Sequence, residues 1–369
     1  MIVVDTIEDL DASLGPWLAA HLAVDAVRVT SLSRPEGGQS NDTIRFDAEW
    51  NERGLERRES LVLRRQQTGH HIFRAPDVVR EFRVLQGLAS SWVPVPRVRW
   101  AETDPSVLGA PFFVMHAVAG TVALAKPSIH SHGWLPSLTT GERARVWNSA
   151  VDALVAIHAV DWRASHAFLL DGALEPGGVA THLDRIAEWY RWATVGREYP
   201  ITDAALEHLL HRRDTISAGA PVLVWGDARI GNMIVGADHR VAAVIDWEIA
   251  SIGPPEIDVA HWLFFDRFAT DAVGIERLPG WPDRDTTLTR YEERSGRSLG
   301  ELDEFEMLEE LVIATTLIRQ ADARVARGLA DPGTRMGHDN TVTQMLARRL
   351  GLPVPELSPD YLAHRGVTT

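Results

Sequence analysis

The chain has no cysteine, which excludes disulfides, thiolate nucleophiles and cysteine-ligated metal centres. Lysine is nearly absent: Lys126 is the single one, and every other member of the 37 lysines and arginines is arginine. No apolar run approaches the roughly 20 residues of a membrane-spanning helix. The opening MIVVDTIEDL lacks the basic n-region of a secretory signal. Positive charge is also scarce in sum. A net charge of −14 removes the basic footprint that a nucleic-acid binder usually carries. There is no G-x-S-x-G elbow and no H-E-x-x-H spacing, so serine-hydrolase and zinc-protease chemistry lack support. His158 and the His70-His71 pair have no ligand partner at such a spacing and read as structural. These absences lead us to expect a cytoplasmic protein, with no nucleic-acid, membrane or protein partner implied.

What is present is ordinary globular material: 369 residues, 45% hydrophobic and 24% charged, enough for two cores. Apolar positions at Ile7, Leu10, Leu14, Trp17, Leu18 and Leu22 predict an amphipathic helix. A turn-rich stretch, 31–46, leads into a strand. A polar tip at 51–60 separates it from a second strand, SLVLRR (60–65). Pro76 is expected to open a helix with Val78, Phe82, Leu85 and Ala89 inward. Strands follow at 93–100 and 110–118. Beyond Gly120 the pattern turns helical. Thr139 and Glu142 form a capping box before a helix through His158, and further helices fit 181–193, 203–216 and 301–328. The fold class is α+β, with a small β-rich N-lobe over 1–117 and a larger, mainly helical C-lobe over 118–369.

A β-rich insert, 222–248, interrupts the helical part. Strands at 222–225, 233–235 and 241–245 place Asp227, Asn232 and Asp246 at strand ends. Asp227 and Asn232 share one tight turn, and the hairpin returns Asp246 beside Asn232. Turn formation explains each residue taken singly. Together they suit phosphoryl transfer. Mg²⁺ takes hard oxygen ligands and usually only one or two from protein, which Asn232 and Asp246 would supply. Asp227 would accept a proton from a substrate hydroxyl.

VWGDARIGNMIV (224–235), VIDWE (244–248) and GPPEIDVA (253–260) resemble the aminoglycoside phosphotransferase and choline kinase group, whose fold is similar to that of protein kinases. The resemblance implies a two-lobed fold and a Mg-ATP-dependent transfer of phosphate to a small-molecule hydroxyl. It implies that Asp227 is the catalytic base, that Asn232 and Asp246 hold the metal, and that Asp258 braces the catalytic loop. Arg229 would offset charge near the γ-phosphate. GGQSNDT (37–43) occupies the place of the nucleotide-positioning loop, with Gly38, Ser40 and Asn41 near the phosphates. Arg64 takes the place of the third-strand lysine and Glu81 that of its helix partner; Arg65 replaces Arg64 if the strand register shifts by one. Backbone groups of His116 to Val118 would meet adenine. Two departures stand out: Trp225 where the family has histidine, and arginine for lysine at position 64. With Arg-Ile-Gly-Asn they resemble a subgroup associated with acyl-CoA dehydrogenases. That resemblance raises hydroxy-acyl acceptors beside amino alcohols and aminoglycosides. The same departures motivate a second expectation, a catalytically silent nucleotide-binding module. The aromatic residues Trp189, Tyr190, Trp192, Trp262, Phe264 and Phe265 read as core, with a share in an acceptor pocket as the alternative.

Overall fold

The computed structural model describes residues 7–35, 41–69, 71–123 and 128–366. The chain divides into two compact units. The smaller comprises Met1–His71, Ala75–Ser90 and Val95–Ala119; the larger comprises Ile72–Arg74, Ser91–Pro94 and Gly120–Thr369.

The smaller unit runs α1 (Ile7–Leu22), β1 (Val27–Ser33), β2 (Asn41–Glu52), β3 (Leu55–Gln66), α2 (Val78–Leu88), β4 (Val98–Glu102), α3 (Pro105–Leu108) and β5 (Phe112–His116). Its antiparallel sheet has the order β1-β2-β3-β5-β4. Strand alternation sorts two rows of side chains onto opposite faces. Ile44, Leu63 and Val114 lie in one register row and share a core with Leu10, Leu14, Trp17 and Leu18 of α1. Thr43, Arg64 and Phe113 form the next row, and Phe113 meets Phe82 of α2 edge-on at 5.9 Å.

Four sequence expectations change here. The strand expected over 93–100 begins only at Val98. Residues 31–33 complete β1 rather than a turn. The stretch 51–60 is mostly strand: β2 runs to Glu52 and β3 starts at Leu55, joined by Arg53 and Gly54 at φ 53° and 82°. The arms are exposed from Asn51 to Arg58, so no buried face imposes an apolar alternation. The helix expected to open at Pro76 is capped by Asp77, whose carboxylate accepts from the Val79 and Arg80 amides at 2.9 and 3.0 Å, a strong capping arrangement. Its buried positions are Val78, Glu81, Val84, Leu85 and Leu88; Ala89 is exposed.

The larger unit contains β6 (Thr121–Val122), α4 (Thr140–His158), α5 (Trp162–Ser165), α6 (Val179–Thr194), α7 (Pro200–Arg212), β7 (Val222–Val224), β8 (Met233–Val235), β9 (Val241–Val244), β10 (Ser251–Gly253), α8 (Glu256–Ala269), α9 (Arg284–Ser295), α10 (Leu302–Ala326), α11 (Thr341–Leu350) and α12 (Pro359–Arg365). Thr139 and Glu142 make the reciprocal capping box of α4. β7 pairs with β10, and β6, β8 and β9 form a second small sheet. α8 is buried along its first nine residues, 256–264. Its apolar side chains join those of α6, α7, α10 and α11 in one core. The larger unit therefore surrounds α8, and the polar residues of α8 are held in that interior.

Candidate active site

β7 ends at Val224 and the chain turns through Trp225, Gly226 and Asp227. Gly226 has φ +93°, and a Cβ there would meet Ile249 Cγ1 at 2.8 Å, so glycine is required. Asp258, in the first turn of α8 and fully buried, holds this turn. Its Oδ2 accepts from Trp225 N and its Oδ1 from Gly226 N, both at 2.7 Å. Oδ2 also accepts from His158 Nε2 at 3.0 Å. The Tyr291 hydroxyl lies 2.6 Å from His158 Nδ1. A buried chain from α9 through α4 to α8 thus fixes two consecutive backbone amides.

Asp227 follows those amides. Its Oδ1 accepts from Arg229 Nε and from His261 Nε2, each at 2.9 Å. Burial opposes its ionisation, but Arg229 and the His261 hydrogen bond outweigh that and hold the carboxyl well below the usual carboxylate range. Asn232 ends the short turn 230–232 and donates from Nδ2 to the Asp227 carbonyl at 3.1 Å. A carbonyl accepts only, so this contact identifies the carboxamide nitrogen and leaves Oδ1 as the acceptor. β8 and β9 pair Met233 with Val244, and the Ile245 amide donates to the Asn232 carbonyl at 3.0 Å. Asp246 comes next in a left-handed conformation, φ 65°. The indole of Trp225 donates to the carbonyls of Ile245 and Asp246 at 3.0 and 3.1 Å. The residue that departs from the family pattern therefore ties the Asp227 turn to the Asp246 turn.

This donor set fits magnesium in kind: an amide oxygen and a carboxylate on adjacent backbone segments. Among the described residues no group of three or more histidines and carboxylates could cage a metal. A magnesium ion here would draw its remaining ligands from phosphate and water, as is common for this ion.

In the smaller unit, Arg64 and Glu81 meet in the interior. Arg64 Nε and Nη2 both lie 3.3 Å from Glu81 Oε2, and Nη1 donates to Thr43 Oγ1 at 3.0 Å. Arg65 turns to the other face of β3 and donates to Asp42 at 2.7 Å and to the Leu108 carbonyl at 3.0 Å. Asn41 begins β2 and is buried. Gly38 and Ser40 lie outside the described residues. The His116 amide donates to the Arg97 carbonyl and the Ala117 amide to the Ser60 carbonyl, both at 2.9 Å. Those two donors are already used, which narrows the expected adenine contact to Val118 and the carbonyls of this stretch.

Next to the Asp227 turn, the larger unit has a cavity walled by Ile129, Ile230, Trp262, Phe265 and Phe268, with Arg229 and Arg365 also lining it. Arg229 stacks over Phe265 at 5.2 Å and Arg365 over Phe268 at 4.7 Å. Asp266 lines it too, occupied by Arg277 and by Trp281 Nε1. Tyr190 and Phe264 are core, whereas Trp262 and Phe265 belong to the cavity wall. Sequence reasoning passed over His261 and Glu309. The i, i+3 spacing of Asp258 and His261 was the available signal, because on a helix it puts both on one face.

Comparison with known proteins agrees with this geometry. Residues 31–287, more than half of the chain, match the APH phosphotransferase enzyme family, and the chain belongs to that family. That family is one of phosphotransferase enzymes. Acyl-CoA dehydrogenase family member 10 of Mus musculus is 30% identical over 256 residues, 68% of this chain and 22% of that protein. Family member 11 of Rattus norvegicus is 29% identical over 259 residues, 69% of this chain and 31% of that protein. The chain thus spans less than a third of these relatives, and it is related to their phosphotransferase portion. Among solved structures, a Ralstonia eutropha protein provisionally described as an aminoglycoside phosphotransferase superposes with TM-score 0.65 at 24% identity, covering 92% of this chain and 98% of that one. The macrolide 2'-phosphotransferase MphH of Brachybacterium faecium superposes with TM-score 0.54 at 21% identity, covering 87% and 94%. Both likenesses concern the fold.

Proposed function

We propose that this chain transfers the γ-phosphate of Mg-ATP to the hydroxyl of a small, largely apolar acceptor of the hydroxy-acyl kind. The observation that carries the reading is the joint fixing of Asp227, Asn232 and Asp246 on one turn and one hairpin, tied by Asp258 and Trp225. In this reading Asp227 accepts the acceptor's hydroxyl proton, and Arg229 neutralises charge near the transferring group. Asn232 and Asp246 hold magnesium, which when bound screens the phosphate charge. Arg64, oriented by Glu81, is the phosphate cation of the smaller unit. Gly38, Ser40 and Asn41 serve the phosphates, and the backbone from His116 to Val118 serves the base. The proposed lobe boundary is 117/118. An ATP-dependent reaction of this kind fits a cytoplasmic setting.

The apolar walls of the cavity favour an acceptor with an apolar body. They disfavour polycationic amino sugars, whose ammonium groups would lose their water against those walls. The two departures that motivate a silent module each have a part here: Trp225 braces the Asp246 backbone, and Arg64 retains a carboxylate partner. The test is ATP consumption with hydroxy acids and their esters, amino alcohols and aminoglycosides in parallel, against Asp227→Asn. We expect turnover with the hydroxy-acyl set and a loss of about 10² to 10⁴ in the variant, the range for a general base. Turnover confined to the amino compounds would refute the acceptor class. Equal rates in wild type and variant would refute the site.

A further inference from the structure

His261 lies in the buried stretch of α8, one turn after Asp258. Its Nε2 is 2.9 Å from Asp227 Oδ1, and its Nδ1 is 2.6 Å from Glu309 Oε2 on α10. The His261 and Glu309 side chains are 2% and 3% exposed, and the Phe265 ring lies 4.9 Å from the imidazole. Burial raises the Glu309 carboxyl against the pull of His261; while both carboxyls are ionised they only accept, and the ring between them donates from both nitrogens. Burial works against that second proton, but Asp227 and Glu309 outweigh it and raise His261 to about 9. The charged groups that bear on the ring are these two carboxylates. Arg229 shares Asp227 from the same turn, and Asp258 stands one helical turn back. Two cations and two carboxylates make the Glu309, His261, Asp227, Arg229 cluster neutral in sum.

The arrangement is asymmetric at Asp227. Oδ1 takes both strong donors, whereas among the described residues Oδ2 receives a 3.4 Å contact from Arg229 Nη2. We propose that His261, backed by Glu309, is a positioning residue that locks Oδ1 of Asp227 and thereby presents Oδ2 to the acceptor hydroxyl. The proposal rests on Asp227 being the general base of the reaction. Neither residue touches substrate; both act through Asp227.

The experiment compares Glu309→Gln, the double variant His261→Gln with Glu309→Gln, and Asp227→Asn, with kcat, KM and pH profiles for each. Glu309→Gln keeps an acceptor for Nδ1 but removes its charge. We expect kcat to fall about tenfold, a typical loss for disturbed orientation, with both KM values held. The alkaline limb of its kcat profile should move to lower pH. The sign follows from the raised group: the imidazolium is present below its own midpoint and lost as pH rises through about 9. The double variant restores an uncharged donor chain to Oδ1, so kcat should recover and the His261 limb should vanish. A readout besides turnover is the ring ¹⁵N signal of His261. It should stay doubly protonated well above ordinary histidines in wild type and titrate lower in Asp227→Asn. If Glu309→Gln keeps wild-type kcat and profile while Asp227→Asn is inactive, the positioning role is overturned and the base assignment stands. If Asp227→Asn turns over normally, the reading of the site itself fails. An unchanged ¹⁵N midpoint in Asp227→Asn also overturns the positioning role.

Discussion

Replacing Asp258 by asparagine keeps the volume and removes one acceptor oxygen and the charge. The carboxylate takes three donors, Trp225 N, Gly226 N and His158 Nε2, at 2.7, 2.7 and 3.0 Å, and it is fully buried. An asparagine can keep the Trp225 and His158 contacts on its oxygen, but its NH₂ then faces the Gly226 N–H. The loss is one hydrogen bond to a charged group, about 2 kcal/mol. Weakening of the other two, since neutral bonds have roughly half the strength, brings the total to about 4 kcal/mol. For a unit of this size that lowers the melting temperature by about 8 to 16 °C. Asp258→Ala should cost more, because it strips all three donors. Thermal and urea melts at pH 7 read the stability. Phosphotransfer assays should show kcat down about a hundredfold, because the released amides carry Asp227 with them. An Asp258→Asn protein that melts within about 0.5 kcal/mol of wild type, the scale of a neutral surface change, would refute the bracing role.

Two other outcomes follow from the same geometry. Trp225→Phe keeps most of the ring but leaves the Ile245 and Asp246 carbonyls without their donor. It should cost about 1 to 3 kcal/mol and raise the magnesium concentration for half-maximal activity; an unchanged magnesium titration would contradict the tie between the two turns. Glu81→Ala removes the carboxylate from the buried Arg64 guanidinium and should destabilise the protein by about 3 to 5 kcal/mol. Glu81→Gln should recover part of that, and denaturant melts of both variants with equal midpoints would contradict a buried ion pair.

The adjacency of Asp227, Asn232 and Asp246 was legible because its parts are local. Asp227 and Asn232 share one turn, and Asp246 returns through a short hairpin, so spacing alone carries their adjacency. Thr139 and Glu142 were legible for the same reason. The role of Glu309 was not, since it lies on another helix far along the chain and meets Asp227 only through His261. α8 hid its function differently. Its first nine residues are buried on every side and present no polar face, so only the i, i+3 spacing from Asp258 separates His261 from core. The arms of β2 and β3 failed in the opposite sense. Both faces are in water, and a charged strand without an apolar alternation reads as loop. Arg64 became distinguishable from Arg65 only once strand pairing showed which face each occupies.

The guanidinium at position 64 has a chemical consequence for how this enzyme can be detected. Nucleotide analogues that mark kinases by acylating or sulfonylating an amine depend on a nucleophilic lysine beside the phosphates. An arginine stays protonated at any working pH and offers no such nucleophile, and Lys126 is the chain's sole lysine side chain. Surveys of nucleotide-binding proteins by amine labelling would pass over this chain at Arg64, whatever its affinity for ATP.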